Sequence, residues 1–234
     1  MLEGLDTIDW ASLRHAYGQA SNVPDLLRAL LSSKTKVRHE AIYELFGTLY
    51  HQGTVYSASA AAVPFLYELL TAPNVRDKSC IACLIASIAD GAGYLEVHAV
   101  DDFGEPTWRK ILAQQGKTLE DELKHEAAEI QAVRQAVAAG LQHLRPYLRD
   151  SEPEVRYSVA VALGNYPEHA GWSLPAIEAA LASEADHEVR QALARSQARL
   201  LQALRKEPPD RTKAPSAENG GGEKRRRDGP GRKC

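Results

Sequence analysis

The chain has 234 residues, 44% hydrophobic and only 6% aromatic, a composition that can bury a sizeable core and favours helices over strands. Its formal net charge of −3 hides an asymmetry, because residues 1–204 carry −8 and residues 205–234 carry +5, which argues against nucleic-acid binding along the body. No apolar run approaches the ~20 residues of a membrane-spanning helix, the opening MLEGLDTIDW lacks the basic and apolar segments of a secretory signal, and three cysteines do not make a disulfide framework, so a reducing cytoplasm is the expected compartment.

Taken in order, Asp9 is placed to cap a short helix over 10–17 that Gly18 ends. Trp10 and Leu13 on it would cover the open end of whatever follows. Residues 23–50 then read as two short amphipathic helices. Leu26, Leu27, Leu30 and Leu31 stripe the first, while Val37, Ala41, Leu45 and Leu49 stripe the second. Ser21 or Asn22 serves as the N-cap, Pro24 falls in the tolerant first turn, and Ser32, Ser33 and Lys34 make a polar turn. Neither helix can bury its stripe alone, so the pair is expected to fold as an antiparallel hairpin that needs a neighbour.

A polar loop over 51–57 leads to a helix starting near Ser57, which Pro64 should bend by removing a backbone hydrogen bond. Its partner spans 75–90 and contains Cys80 and Cys83. That spacing invites a redox or zinc reading, but a redox pair wants a helix N-terminus in electropositive surroundings and zinc wants four ligands. Both cysteines are placed about two turns into the helix beside Ile81, Leu84 and Ile85, and are expected to be small buried residues.

Residues 91–117, with glycines at 91, 93, 104 and 116, break the rhythm and read as an inserted loop or a partly helical excursion, a length that is usually functional or mobile. Thr118 and Asp121 signal the start of a long helix over 119–148. Its stripe is Leu123, Ala127, Ile130, Val133, Val137, Leu141 and Leu144, and Pro146 should kink it near the end. Helices over 155–166, 174–181 and 187–204 follow. Beyond Pro208 and Pro209 the chain is too polar to fold and is expected to be disordered.

The helical pairs repeat. Val37 with Arg38, Val75 with Arg76, Val155 with Arg156 and Val189 with Arg190 each open a second helix, with intervals of 38, 80 and 34 residues. Pro24, Pro64, Pro146 and Pro175 precede them. A period near 40 with two helices per unit is the mark of an α-solenoid, and this pattern resembles the HEAT-repeat family over most of residues 10–204. The resemblance implies an all-α solenoid of about four HEAT-type hairpins, with a capping N-terminal helix and one long insertion at 91–117. IDWASLRHAYG at 8–18 and HQGTVYSASAAAVPFL at 51–66 are similar to a group of HEAT-repeat proteins widespread in bacteria, whose molecular role is largely undefined. It also implies that Arg38, Arg156 and Arg190 form structural ladders between units rather than anion sites.

In such an array the loops joining successive units share one edge. Here they gather His51, Gln52, Tyr56, Asp90, Asp101, Asp102, Trp108, His169 and Trp172, a mixture that recognition surfaces favour. Each residue also has a structural reading. His51 can bond a helix end, Gln52 with Gly53 and Thr54 can make a turn, and Trp172 can staple the next helix. Asp101 and Asp102 near His98 suggest metal or acid–base chemistry, but no second histidine stands at ligand spacing. No GxSxG, HExxH, P-loop or GxGxxG pattern occurs.

The sequence therefore reads as a monomeric, non-enzymatic scaffold that binds a protein partner, with no cofactor, metal or membrane. The basic run at 224–227 can touch nucleic acid, act as a targeting signal or merely solubilise the terminus. The alternative is an immunity or inhibitor protein for a basic toxin, suggested by the −8 body. A third reading, implied by the fold resemblance alone, is an enzyme related to bilin lyases or HEAT-type DNA glycosylases, although a glycosylase wants a basic concave face.

Overall fold

The computed structural model describes residues 1–99 and 103–206. Asp101, Asp102 and nearly all of the 205–234 tail lie outside them. Among the described residues four antiparallel helical hairpins stack side by side: α1 (Val23–Ala29) with α2 (Thr35–Leu49), α3 (Ser57–Thr71) with α4 (Lys78–Ala89), α7 (Leu119–Gly140) with α8 (Pro153–Gly164), and α9 (Ala170–Leu181) with α10 (His187–Lys206). α5 (Tyr94–His98) and α6 (Gly104–Gln114) lie between the second and third units. In one layer α2, α4, α8 and α10 pack in sequence. In the other α1, α3, α7 with its extension, and α9 do the same. The first unit meets the second over a small area, whereas α3 against α7 and α4 against α8 pack along much of their lengths.

The expected helix over 10–17 does not form. The segment instead makes a small antiparallel hairpin of β1 (Arg14–His15) and β2 (Gly18–Gln19). Trp10 explains the difference, because its indole N–H donates to the Leu5 carbonyl at 2.8 Å while its ring packs on Phe65, a wrap that a continuous helix would forbid. Ala16 N–H donates to the Thr48 carbonyl in the last turn of α2. The capping role survives in a different shape, with Leu2, Leu5 and Trp10 all buried.

Within α2 the buried stripe is Arg38, Ala41, Ile42, Leu45, Thr48 and Leu49. Val37 is only half-buried, and Arg38 takes the inward position. Val75 and Arg76 stand before α4 rather than opening it, so Ile81 occupies in α4 the fourth helical position that arginine holds in α2, α8 and α10. Cys80 is correspondingly in the first turn and exposed, and Cys83 is half-buried, contrary to the expectation of two buried residues deeper in the helix.

The long helix over 119–148 breaks at Gly140 and continues as a 3-10 segment, Leu141–Arg149. The cause is Tyr67, whose hydroxyl donates to the Val137 carbonyl at 2.9 Å. Its ring lies so close that a Cβ at position 140 would sit 2.5 Å from it. The cap forms as expected, with Thr118 Oγ1 accepting from Asp121 N–H. Of the two readings of 91–117, the partly helical one holds. α5 and α6 fold onto the first half of α7 around a small separate core of Leu95, Ala99, Leu112 and Leu119, covered by Trp108 and Leu123.

Arginines staple the edge formed by the turns within units. Arg38 donates from Nε to Asp77 of the next unit at 2.6 Å and from Nη1 to the Ser32 and Ser33 carbonyls. Arg156 repeats this, with a two-pronged contact to Glu184 at 2.8 and 2.9 Å and bonds to the Asp150 and Ser151 carbonyls. Between the second and third units, where Ile81 replaces the arginine, Ser79 Oγ donates to Asp150 at 2.6 Å. The two arginines satisfy carbonyls left open where the preceding helix ends, so this edge is occupied with holding the stack together.

Candidate functional site

The opposite edge begins at the end of α2. His51 and Thr54 exchange backbone hydrogen bonds at 3.0 and 2.9 Å across Gln52 and Gly53, whose φ values are 50° and 87°. Two consecutive positive φ angles define a tight turn in which glycine is at ease and glutamine is strained. Gln52 thus serves the turn. Val55 N–H donates to the Ala92 carbonyl and Ala92 N–H to the Gly53 carbonyl, so this loop is laced to the one that follows α4.

Tyr56 lies half-buried in the same loop. Its hydroxyl is 2.7 Å from Thr54 Oγ1, and its N–H donates to Ser59 Oγ at the start of α3. Burial raises the phenol pKa, and the nearby Tyr94 and Tyr17 hydroxyls add to the rise. Asp90 closes α4 and accepts from Asn165 Nδ2, while Asn165 Oδ1 accepts from Arg199, a chain that ties the ends of α4 and α8 to the body of α10. Trp108 packs edge-on against Tyr94 at 5.5 Å within the small core. His169 and Trp172 pair with each other, ring centroids 6.0 Å apart, and Trp172 packs on the main core.

The structure therefore brings His51, Tyr56 and the loop after Asp90 together, and it packs Trp108 against Tyr94 and His169 against Trp172 away from that loop's hydrogen bonds. The feature that sequence reasoning missed lies beside His51. A groove of about 920 Å³ runs along α2, lined by Glu40, Tyr43, Glu44, Gly47 and Tyr50 and closed on one side by His15 and Tyr17 of the β-hairpin. Tyr43 is 82% and Tyr17 70% exposed.

This wall is held by a relay. Tyr17 N–H donates to His15 Nδ1 at 3.0 Å, which leaves His15 Nε2 to donate to Asn22 Oδ1 at 3.0 Å. Asn22 Nδ2 in turn donates to Glu44 Oε1 at 3.2 Å. The Tyr17 ring meets His51 edge-on at 5.2 Å. At the far side, burial raises the Tyr50 phenol pKa, and the fields of Asp90 and Cys83 push the same way. The sequence did hold a signal, because Glu40, Tyr43, Glu44 and Gly47 recur at helical spacing on the face of α2 opposite its buried stripe.

The setting of the two thiols does not favour redox exchange. Burial, with the acidic neighbours Asp77 and Asp150 at Cys80 and Glu154 at Cys83, raises both pKa values, the reverse of the thiolate-favouring setting that exchange chemistry needs. Among the described residues no group of three or more His, Cys, Asp or Glu is arranged to hold a metal ion, and no helix is long and apolar enough to cross a membrane.

Residues 106–198 match the family model for HEAT repeats, in keeping with the stacked hairpins. No curated protein matches it. Among solved structures, an engineered protein from a structural-genomics consortium is similar at 22% identity over 79% of this chain and 83% of that one, with a TM-score of 0.36, too low to carry an argument.

Proposed function

We propose that this chain is a HEAT-repeat protein and a non-enzymatic binding module that recognises a protein partner with the loop edge around His51 and the adjoining groove of α2. The observation that carries this reading is the pair of broadly exposed aromatic side chains, Tyr17 and Tyr43, lining one open groove. Exposed tyrosines on a rigid helix and a hairpin lose little conformational entropy on binding and are the residue type that dominates interface energetics. The turn edge, by contrast, is committed to the arginine staples.

The test is affinity capture from native lysate with the full chain as bait, comparing the natural protein with Tyr17→Ala, Tyr43→Ala and His51→Ala. The expected result is a specific protein retained by the natural chain and lost with the first two variants. Retention that is indifferent to all three substitutions would remove this face as the site. The −8 charge of residues 1–204 favours a second, narrower reading, an inhibitor or immunity protein that covers a basic partner. That reading requires binding that weakens between about 50 and 500 mM salt. Its setting is taken to be the reducing cytoplasm, where the unpaired Cys80 and Cys83 are stable as thiols, and its working form a monomer.

A further inference from the structure

We infer that the α2 groove is an arginine-binding site, which takes the guanidinium side chains of a basic segment on a protein partner. The inference rests on the binding-module reading and names the chemistry of the partner. Three features of the groove converge on that chemistry. Its walls are tyrosine rings, and guanidinium ions stack on such faces through the ring quadrupole and their own planar π-system. Its lining also carries two carboxylates, Glu40 and Glu44, and the latter is oriented by Asn22 and His15. Carboxylates accept the paired N–H donors of arginine in a geometry that lysine cannot reproduce.

The third feature is Gly47. It lies in the last turn of α2, still inside the helix, where glycine has a lower helix propensity than alanine, yet a Cβ there would meet nothing within 4 Å. Neither packing nor a positive φ asks for glycine at this position. What its missing side chain provides is depth, since the groove reaches the helix backbone between Tyr43, Tyr50 and His51. A flat guanidinium or an extended peptide backbone can approach α2 there as no bulkier floor would permit.

One cation already stands nearby. Lys36 Nζ lies 3.7 Å from Glu40 Oε1, with both side chains largely exposed, and exposed pairs of this kind contribute little. An incoming arginine exchanges it for a better-matched partner. At about 920 Å³ the groove exceeds the size of one side chain, so a segment with two arginines a residue apart fits it better than an isolated residue.

The test uses the full chain and two fluorescein-labelled pentapeptides, Gly-Arg-Gly-Arg-Gly and its lysine counterpart, followed by fluorescence anisotropy at about 50 and 500 mM salt. The arginine peptide is expected to bind several-fold more tightly than the lysine peptide. Tyr43→Ala should weaken it about three- to fivefold, and Glu40→Gln with Glu44→Gln by at least as much. Gly47→Leu should abolish binding while leaving the circular dichroism spectrum intact. Gly47→Ala should weaken binding while raising the melting temperature by about 2–4 °C.

Glu152→Gln with Glu154→Gln, which removes equal charge from the start of α8, should leave affinity unchanged. Equal loss in that control would mean attraction to the whole acidic body and would overturn the inference, as would full binding by Tyr43→Ala. If affinity appears only after Lys224, Arg225, Arg226 and Arg227 are replaced by serine in the full chain, the occupant is the chain's own tail and the partner assignment fails. Partner capture that depends on Tyr17 without any arginine preference would sink this inference alone and leave the binding-module reading in place.

Discussion

Replacing Glu184 by glutamine keeps the shape of the turn between α9 and α10 but removes the charge that Arg156 grips. The two-pronged contact, together with backbone N–H groups of Ala185 and Asp186, pulls the Glu184 carboxyl from its ordinary 4.5 down to about 2. A shift of that size corresponds to an upper limit of about 3 kcal/mol by linkage. The Arg156 and Glu184 side chains are only 15% and 5% exposed, so the desolvation of both charges offsets part of this gain and about 1–2 kcal/mol is the expected cost at pH 7. The sign follows from the direction of the shift. A depressed carboxyl stabilises the fold wherever the unfolded group is already ionised, and that contribution fades as pH falls from 4.5 toward 2. Urea titrations of the natural chain and Glu184→Gln at several values from pH 7 to pH 2.5 measure it directly. The two stabilities should differ at pH 7 and converge in acid. A difference that stays constant down to pH 2.5, or none at pH 7, would refute the idea that Arg156 draws its strength from this carboxylate.

Gly140→Ala pushes a methyl group to 2.5 Å from the Tyr67 ring and should destabilise the chain by about 1–3 kcal/mol, read as a lower melting temperature. Tyr67→Leu in the same chain should recover part of that loss, because it removes the atoms in conflict. Cys80 and Cys83 should both alkylate slowly with iodoacetamide at pH 7 in a Cys234→Ser background and accelerate as the solution is brought above pH 9. Their raised pKa values keep them as thiols at neutrality, and the exposed Cys80 should react first. Rapid modification of either at pH 7 would show an activated thiol.

The stacked-hairpin plan was legible in the sequence because its signals are local. The apolar spacing in 23–50, the Val and Arg recurrences and the Thr118 cap each depend on residues within a few turns of one another. What escaped depended on distant partners. The helix expected over 10–17 yields to a bond between Trp10 and Leu5 and a contact with Phe65, and the long helix breaks at Gly140 because Tyr67, more than seventy residues earlier, needs the room. The site was half legible for the same reason. His51 and Tyr56 stand out in a short loop, and their loop does form part of the candidate edge. Gln52, Asp90 and Trp108 turned out to serve a tight turn, an inter-helix chain and a small core. The α2 groove needs the β-hairpin as its wall, and no helical pattern announces a hairpin folded from 14–19.

The narrow contact between the first and second units has an energetic meaning for that groove. Arg38, the Trp10 contact with Phe65 and the bond from Leu2 N–H to Glu68 carry much of the attachment of the terminal unit. In an array whose members touch only their neighbours, opening begins where coupling is thinnest, so fraying starts at this end. Among the described residues the amides of 14–50 are accordingly expected to exchange with solvent deuterium ahead of those in the later units. A ligand seated between α2 and the hairpin must hold that unit closed, and part of its binding energy goes into suppressing the fraying. Slowed exchange confined to 14–50 is then a signature of occupancy that needs no knowledge of what is bound.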